Sequence, residues 1–243
     1  MRQPFLRRPF SIADRWTDDD GSQHLVVISR AIGVGTGWLD RLRPGQVLNL
    51  SGPFGRPFRV PERGTSLVLV GGGVGIPPLL YLARRLQELG HEDVTVIFGA
   101  TTRNLFPVPL TEEPRADGTP MCCVRLPGNA PYAAAVTTDD GSFGLRGVVT
   151  DALAVWERSR QSQRSSTTVF ACGPEGMLRA VAGRTREHGF ACQLCIERTM
   201  GCGFGTCLSC VTRVRDPSRD PGWRWALTCS DGPVFERDAL FDY

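Results

Sequence analysis

"SLVLVGGGVGIPPLL", residues 66–80, decides the fold. Five residues suited to a buried strand run into glycines 71, 72, 73 and 75, and two prolines then open an apolar-periodic segment that reads as a helix from about Pro77 to Leu89. "VTVIFGA" (94–100) follows as a second strand. Strand, glycine turn, helix and strand in that order make a unit that requires a parallel sheet. The same alternation returns downstream. A strand near 148–149 is expected to lead into a helix through Trp156, and "TTVFACGPEGMLRAVAGRTREHG" (167–189) repeats strand, turn and helix.

Outward from this α/β core the texture changes on both sides. Upstream, to about Glu62, "HLVVISRAI" (24–32) and "QVLNLSG" (46–52) read as short strands separated by a Gly-rich turn and closed by "GPFGRPF". Downstream, residues 191–243 hold six of the nine cysteines. The expected organisation is three modules: 1–62, an antiparallel β part; 63–190, an α/β parallel-sheet domain; and 191–243, a small cysteine-rich domain. The polar "RSRQSQRSST" (158–167) is expected to be a surface loop. There are no internal repeats.

Composition narrows the function. A formal charge of +3 with both signs interspersed leaves no basic stripe for nucleic acid. No apolar run approaches the length of a membrane span, and the N-terminus lacks the apolar stretch of a signal peptide. Nine cysteines then suit a reducing compartment, the cytoplasm, where closely spaced thiols point to metal or redox chemistry. All the cations are arginine; lysine is absent.

Cys202, Cys207, Cys210 and Cys229 follow C-x4-C-x2-C with a distant fourth member, the spacing of a plant-type 2Fe-2S site. Glycines 201, 203 and 205 between them allow a loop to curl with its N–H groups turned toward sulfur. A zinc ribbon is the rival, since Cys192-x-x-Cys195 and Cys207-x-x-Cys210 also form two C-x2-C pairs. It leaves Cys202 and Cys229 unused. Cys122, Cys123 and Cys172 are expected to be buried small apolar residues.

The glycine turn at 71–75 and the second turn "CGPEGM" (172–177) each lie between a strand and a helix, where a helix N-terminus favours phosphate. Reading from Gly73 the pattern is G-x-G-x-x-P, with Pro78 at the third glycine of the usual dinucleotide fingerprint. Two such turns in one sheet face a common crevice. A nicotinamide exchanges two electrons as hydride whereas a 2Fe-2S cluster carries one, so a chain with both sites needs a converter, and flavin is the one expected. "RRPFSI" (7–12) and "GVGTGWL" (33–39) offer a guanidinium, a hydroxyl and glycine N–H groups for it.

With "RRPFSI", "GVGTGWL", "GPFG", "GGGVGIPPLL", "CGPEGM", "GCGFGTCLSC" and "CSDGPVF" in order over residues 7–235, the chain resembles the ferredoxin reductase superfamily. Within it, the likeness is to the electron-transfer subunits of NAD-dependent dihydroorotate dehydrogenases. The resemblance implies FAD, a 2Fe-2S cluster and NAD as cofactors, and an FMN-containing catalytic subunit that oxidises dihydroorotate as partner. It places Arg8, Pro9 and Ser11 at FAD and Gly35 and Thr36 at its pyrophosphate. Gly72, Gly73 and Gly75 fall at the nicotinamide nucleotide, Gly173 and Pro174 at its nicotinamide end, and Cys202, Cys207, Cys210 and Cys229 at iron. No residue of this chain is expected to be catalytic in the acid–base sense. Asp139, Asp140 and Glu197 read as turn or surface groups, and His24, His91 and His188 have no ligand spacing. The alternatives are a flavin and iron–sulfur subunit serving an oxygenase or hydrogenase, and a zinc-stabilised binding module without enzymatic activity.

Two departures stand out. The family's flavin barrel has several strands before its R-P-x-S element, here preceded by six residues, so Met1 is expected to be internal and the barrel N-terminally shortened. Cys192 and Cys195, outside the family pattern, are expected to be substitutions on a strand. Arg103 is a candidate contact for a 2′-phosphate, which leaves NAD against NADP open.

Overall fold

The computed structural model describes residues 7–124, 131–160 and 166–243; Met1 and residues 161–165 of the polar stretch lie outside these. The N-terminal segment forms an antiparallel hairpin, β1 (Asp14–Thr17) with β2 (Gln23–Val26), followed by a short helix, α1 (Val34–Asp40). Next come β3 (Ser66–Gly72), a 3-10 turn over Gly73–Gly75, α2 (Ile76–Glu88) and β4 (Val94–Ala100). β5 (Met121–Val124), β6 (Tyr132–Thr138), β7 (Leu145–Arg146) and α3 (Val149–Ser159) follow. The chain continues through β8 (Thr167–Cys172), α4 (Glu175–Glu187) and β9 (Ala191–Cys195). It ends with β10 (Val211–Arg215), β11 (Trp223–Leu227) and β12 (Val234–Glu236).

Eight strands make one sheet in the order β12-β9-β8-β3-β4-β6-β5, with β7 beside β6. β9, β8, β3, β4 and β6 run parallel, and β5 and β12 close the two edges antiparallel. The chain builds outward from β3 through β4 toward one edge and then returns to lay β8 and β9 on the other side, so the order reverses between β3 and β8. β3 is apolar along its length because both faces are covered. Val68 and Val70 pack with Leu153 and Trp156 of α3 and Leu178 and Val181 of α4. Leu67 and Leu69 pack with Leu79, Leu82 and Leu86 of α2 on the opposite face. Pro77 and Pro78 sit in the first turn of α2, where a missing N–H leaves no hydrogen bond unmade.

Two expected strands are corrected. Among the described residues the N-terminal sheet has two strands and closes no barrel, and 46–52 forms no strand. Val47 is 89% exposed, which follows from having no strand beside it to cover an apolar side chain. The strand expected at 148–149 is β7, three residues earlier, and Val149 already opens α3. β5 and β6 were not anticipated; "YAAAVTT" is alanine-rich and carries a weak strand signal. The first residues of the cysteine-rich stretch, Ala191–Cys195, lie in the sheet as β9.

Residues 52–60 cross this sheet and tie the N-terminal segment to it. The rings of Phe58 and Phe170 meet edge to face, 5.4 Å apart. Buried Gln193 imitates a strand, its Oε1 accepting the Arg59 N–H at 2.8 Å and its Nε2 donating to the Arg59 carbonyl at 2.9 Å. Gln193→Leu removes both bonds and leaves two backbone groups unpaired, so it should destabilise the chain by about 2 kcal/mol. Urea unfolding reads this as a lower midpoint, with Gln193→Glu intermediate because it keeps the acceptor.

Candidate functional site

The cysteine loop is held by the hairpin that follows it. β10 pairs with β11 so that Val211 faces Leu227, and the Thr228 N–H donates to the Cys210 carbonyl at 2.9 Å. This carries Cys229 back onto Cys210, where its N–H donates to the Cys210 Sγ at 3.4 Å. Nineteen residues of separation are thereby closed. The other two thiols form a second pair: the Cys202 N–H donates to the Cys207 Sγ at 3.3 Å and the Cys207 N–H to the Cys202 Sγ at 3.5 Å.

Backbone conformation makes this possible. Gly203 at φ +86° and Gly205 at φ +91° turn the loop in the left-handed region, and Leu208 at φ +58° does so without being glycine. Gly201 lies so close that a Cβ there would stand 3.0 Å from the Cys207 Sγ. Cys210 and Cys229 are buried, whereas Cys207 is exposed.

The thiols are poised differently. Cys207 is lowered to about 6, first by the Ser209 hydroxyl and then by backbone N–H groups, and Cys202 is lowered by the N–H groups of Cys207 and Phe204. Burial raises Cys229. Thiolate is the form that binds metal. A lowered value means Cys207 is deprotonated above about pH 6 and protonated below it. In the metal-free chain, alkylation of Cys207 should accordingly rise through a midpoint near 6, and Ser209→Ala should move that midpoint upward.

The donor set fits an iron–sulfur centre. A two-iron cluster takes two thiolates per iron, and the loop presents two pairs with N–H groups on sulfur. Cys192 and Cys195 do not complete a zinc ribbon: three positions apart on β9, they face opposite sides of the sheet.

The two glycine turns meet where the strand order reverses. Gly71 on β3 is opposite Cys172 on β8, so both turns leave the same end of the sheet side by side. A Cβ on Gly72 would stand 2.6 Å from the Met177 Sδ, and one on Gly75 would lie 2.2 Å from the Cys172 carbonyl oxygen. Gly73 differs: φ is +53° and nothing stands within 4 Å of its Cβ position, so its side faces open space. Pro77 and Pro78 remove two N–H donors from the first turn of α2, which leaves the 73–76 turn to supply any phosphate contacts. Pro174 is the N-cap of α4.

In the N-terminal segment, Arg8 lies on Gly35, with its Cγ and Nε each 3.3 Å from that residue's Cβ position. The R-P-x-S element and the G-T turn are thus in contact. The Thr36 hydroxyl accepts the N–H groups of Ile32 and Gly33 at 3.0 and 3.2 Å, fixing the entry to α1. Arg8, Pro9 and Ser11 are exposed. Arg7 is tied to Ser51 and Asn49 at 2.7 and 2.6 Å.

Comparison with known proteins matches residues 197–241 to the iron-sulfur cluster binding domain of dihydroorotate dehydrogenase B and residues 69–183 to the oxidoreductase NAD-binding domain. A Shouchella clausii protein named dihydroorotate dehydrogenase B (NAD(+)), electron transfer subunit, is 36% identical over 232 residues, 95% of this chain and 78% of that protein. A Caldanaerobacter subterraneus protein of the same name is 32% identical over 231 residues, 95% and 79% of the two chains. The chain belongs to this family of electron-transfer subunits. A solved structure described as an NADH-dependent reduced ferredoxin-NADP oxidoreductase matches with a TM-score of 0.72 at 26% identity, covering 97% of this chain and 74% of that one.

Within this dihydroorotate dehydrogenase B family member, several residues fall away from the site. Asp140 accepts from the N–H and hydroxyl of Ser142 at 3.0 and 2.6 Å, a turn role, and Glu197 is exposed. His24 pairs with Asp18 at 2.6 Å, and buried His91 is lowered by desolvation. Cys123 and Cys172 are buried, but Cys122, on edge strand β5, is exposed. Arg103 lies 4.5 Å over the Phe143 ring and 3.4 Å from Glu113, in a pocket of about 350 Å³ that Glu112 also lines. Sequence reading missed these two carboxylates and Met177, the side chain that joins the glycine turns. An i+3 offset from Pro174 along α4 is the signal that could have found Met177.

Proposed function

We propose that this chain relays electrons between NAD and the FMN-containing catalytic subunit of a dihydroorotate dehydrogenase, in pyrimidine biosynthesis and in the cytoplasm. The observation that carries the reading is the pairing of thiols, 202 with 207 and 210 with 229, on the same chain as two glycine turns at the sheet's switch point. When bound, the 2Fe-2S cluster carries single electrons and FAD exchanges them for hydride.

Cys202 and Cys207 would hold one iron, and Cys210 and Cys229 the other. The N–H groups on their sulfurs stabilise the negative charge of the thiolates. Gly72, Gly73 and Gly75 shape the turn at the nucleotide, Gly73 open to it and Gly72 and Gly75 packed against the second turn, and Gly173 and Pro174 line its nicotinamide end. Arg8, Pro9, Ser11, Gly35 and Thr36 serve the flavin, with the Arg8 guanidinium beside the start of α1 and within reach of its pyrophosphate. Residues 1–62 are the flavin module of barrel type, 63–190 the nicotinamide module and 191–243 the cluster module.

No acid–base pair is required of this chain, because hydride exchange between stacked rings depends on orientation. Glu112 and Glu113 beside Arg103 oppose a 2′-phosphate and favour NAD over NADP. The test is anaerobic co-purification with the candidate catalytic subunit, followed by visible spectra before and after NADH. NADH should bleach both flavin and iron–sulfur bands, at least tenfold faster than NADPH. An unchanged spectrum with intact cofactors would refute the relay.

A further inference from the structure

β8 and β9 run side by side in parallel, and their register sets Cys172 opposite Cys195 at the carboxyl end of both strands. Register partners on neighbouring strands share a face and lie about 4.8 Å apart. That separation falls within the Cα range of a disulfide. Both side chains belong to the apolar layer that includes Phe170 and Phe58. Cys192 lies in the opposite layer, with Val181 and Phe190. Cys172 is buried and Cys195 is partly open.

We propose that Cys172 and Cys195 are a redox-active dithiol that closes to a disulfide with hydrogen peroxide as oxidant, at the floor of the nucleotide crevice. The Cys195 thiolate attacks one peroxide oxygen. The O–O bond breaks, hydroxide leaves and takes up a proton as water, and Cys195 becomes a sulfenic acid. The Cys172 sulfur then attacks the Cys195 sulfur, forming S–S and breaking S–O, and the departing hydroxyl leaves as a second water with the Cys172 proton. Two thiols have lost two electrons and two protons, and one peroxide has become two waters. The neighbouring Cys195 thiol, then burial, holds Cys172 well above the ordinary thiol range, so it stays protonated until its partner is oxidised. A Cα separation of about 4.8 Å lies at the short end of the disulfide range, so the bridge carries strain, and strained disulfides reduce readily, which makes the step reversible by thiols.

The position gives the bond a consequence. The Cys172 carbonyl and the Gly173 N–H form the wall against which Gly75 is packed, at 2.2 and 2.5 Å from its Cβ position. An S–S bond favours a Cα separation of about 5.5–6 Å, so closing it pushes the ends of the two strands apart and moves that wall, and nucleotide affinity falls several-fold. This second part rests on the crevice being the nicotinamide site; the dithiol itself does not.

The experiment uses the full chain, reduced and then treated with a few equivalents of hydrogen peroxide, alkylated and digested with trypsin. A linked pair of peptides, 165–179 with 187–198, is expected in the parent and in Cys192→Ala, and should disappear in Cys195→Ser and on adding dithiothreitol. Absence of the linked pair in the parent, or its survival in Cys195→Ser, overturns the dithiol. NADH titration of the same samples separates the two parts. Affinity that drops on oxidation only where the bridge forms supports the closure, and a bridge with unchanged affinity overturns it. Failure of the reduced parent to bind NADH counts against the nucleotide reading, while the peptide result still decides the dithiol.

Discussion

Cys210→Ala should abolish the iron–sulfur centre: about two irons and two acid-labile sulfides per parent chain should fall to background, with loss of the visible bands. The four ligand positions are not equivalent in this respect. Cys207 is exposed, so water or an added thiol has access to an iron that loses it. Cys210 is 2% exposed and its Sγ accepts the Cys229 N–H, so no outside ligand reaches the vacated place. The hairpin itself depends on backbone bonds that alanine preserves, including the Thr228 N–H to the Cys210 carbonyl, so the protein should remain folded. Cys192→Ala is the control and should retain the full iron content, because that thiol faces the α4 side of the sheet, pushed up to about 12 by burial. Elemental analysis decides between centres as well. Iron with sulfide supports the cluster; one zinc without sulfide, lost in Cys192→Ala as well as in Cys210→Ala, would overturn the ligand assignment.

What the sequence made legible was whatever local chemistry dictates. The glycines of 71–75 between a buried strand and a proline-started helix left one fold class open, and β3, α2 and β4 fall within a residue or so of where periodicity put them. C-x4-C-x2-C marked the thiols, but their pairing depends on the register of β10 with β11, which no local signal encodes. β6 was hidden because its alanines carry little strand preference; the sheet imposes the conformation by burying both faces. Residues 46–52 failed the other way. Val47, Leu48 and Leu50 alternate in a strand-like manner, yet a strand exists only where a neighbour accepts its hydrogen bonds, and among the described residues none is there.

The glycine turns carry the second large effect. Gly75→Ala should remove NADH binding and lower stability by about 3 kcal/mol, at the upper end of what overpacking usually costs. Its added methyl would stand 2.2 Å from the Cys172 carbonyl oxygen and 2.3 Å from the carbonyl carbon. Those atoms end β8, which hydrogen-bonds to β3 over six register pairs, so they do not yield as a flexible side chain would. Relief requires the two turns to separate, which opens the sheet at the point where the nucleotide is expected. Gly73→Ala isolates the other role of glycine. Nothing stands within 4 Å of its Cβ position, but φ is +53°, so the cost is about 1 kcal/mol of backbone strain without a clash. Urea unfolding and NADH titration on both variants should therefore rank them in the same order, Gly75→Ala far below Gly73→Ala. If Gly75→Ala were as stable as the parent and bound NADH normally, the two turns would not be packed as described, and the crevice between β3 and β8 would lose its claim to the nucleotide.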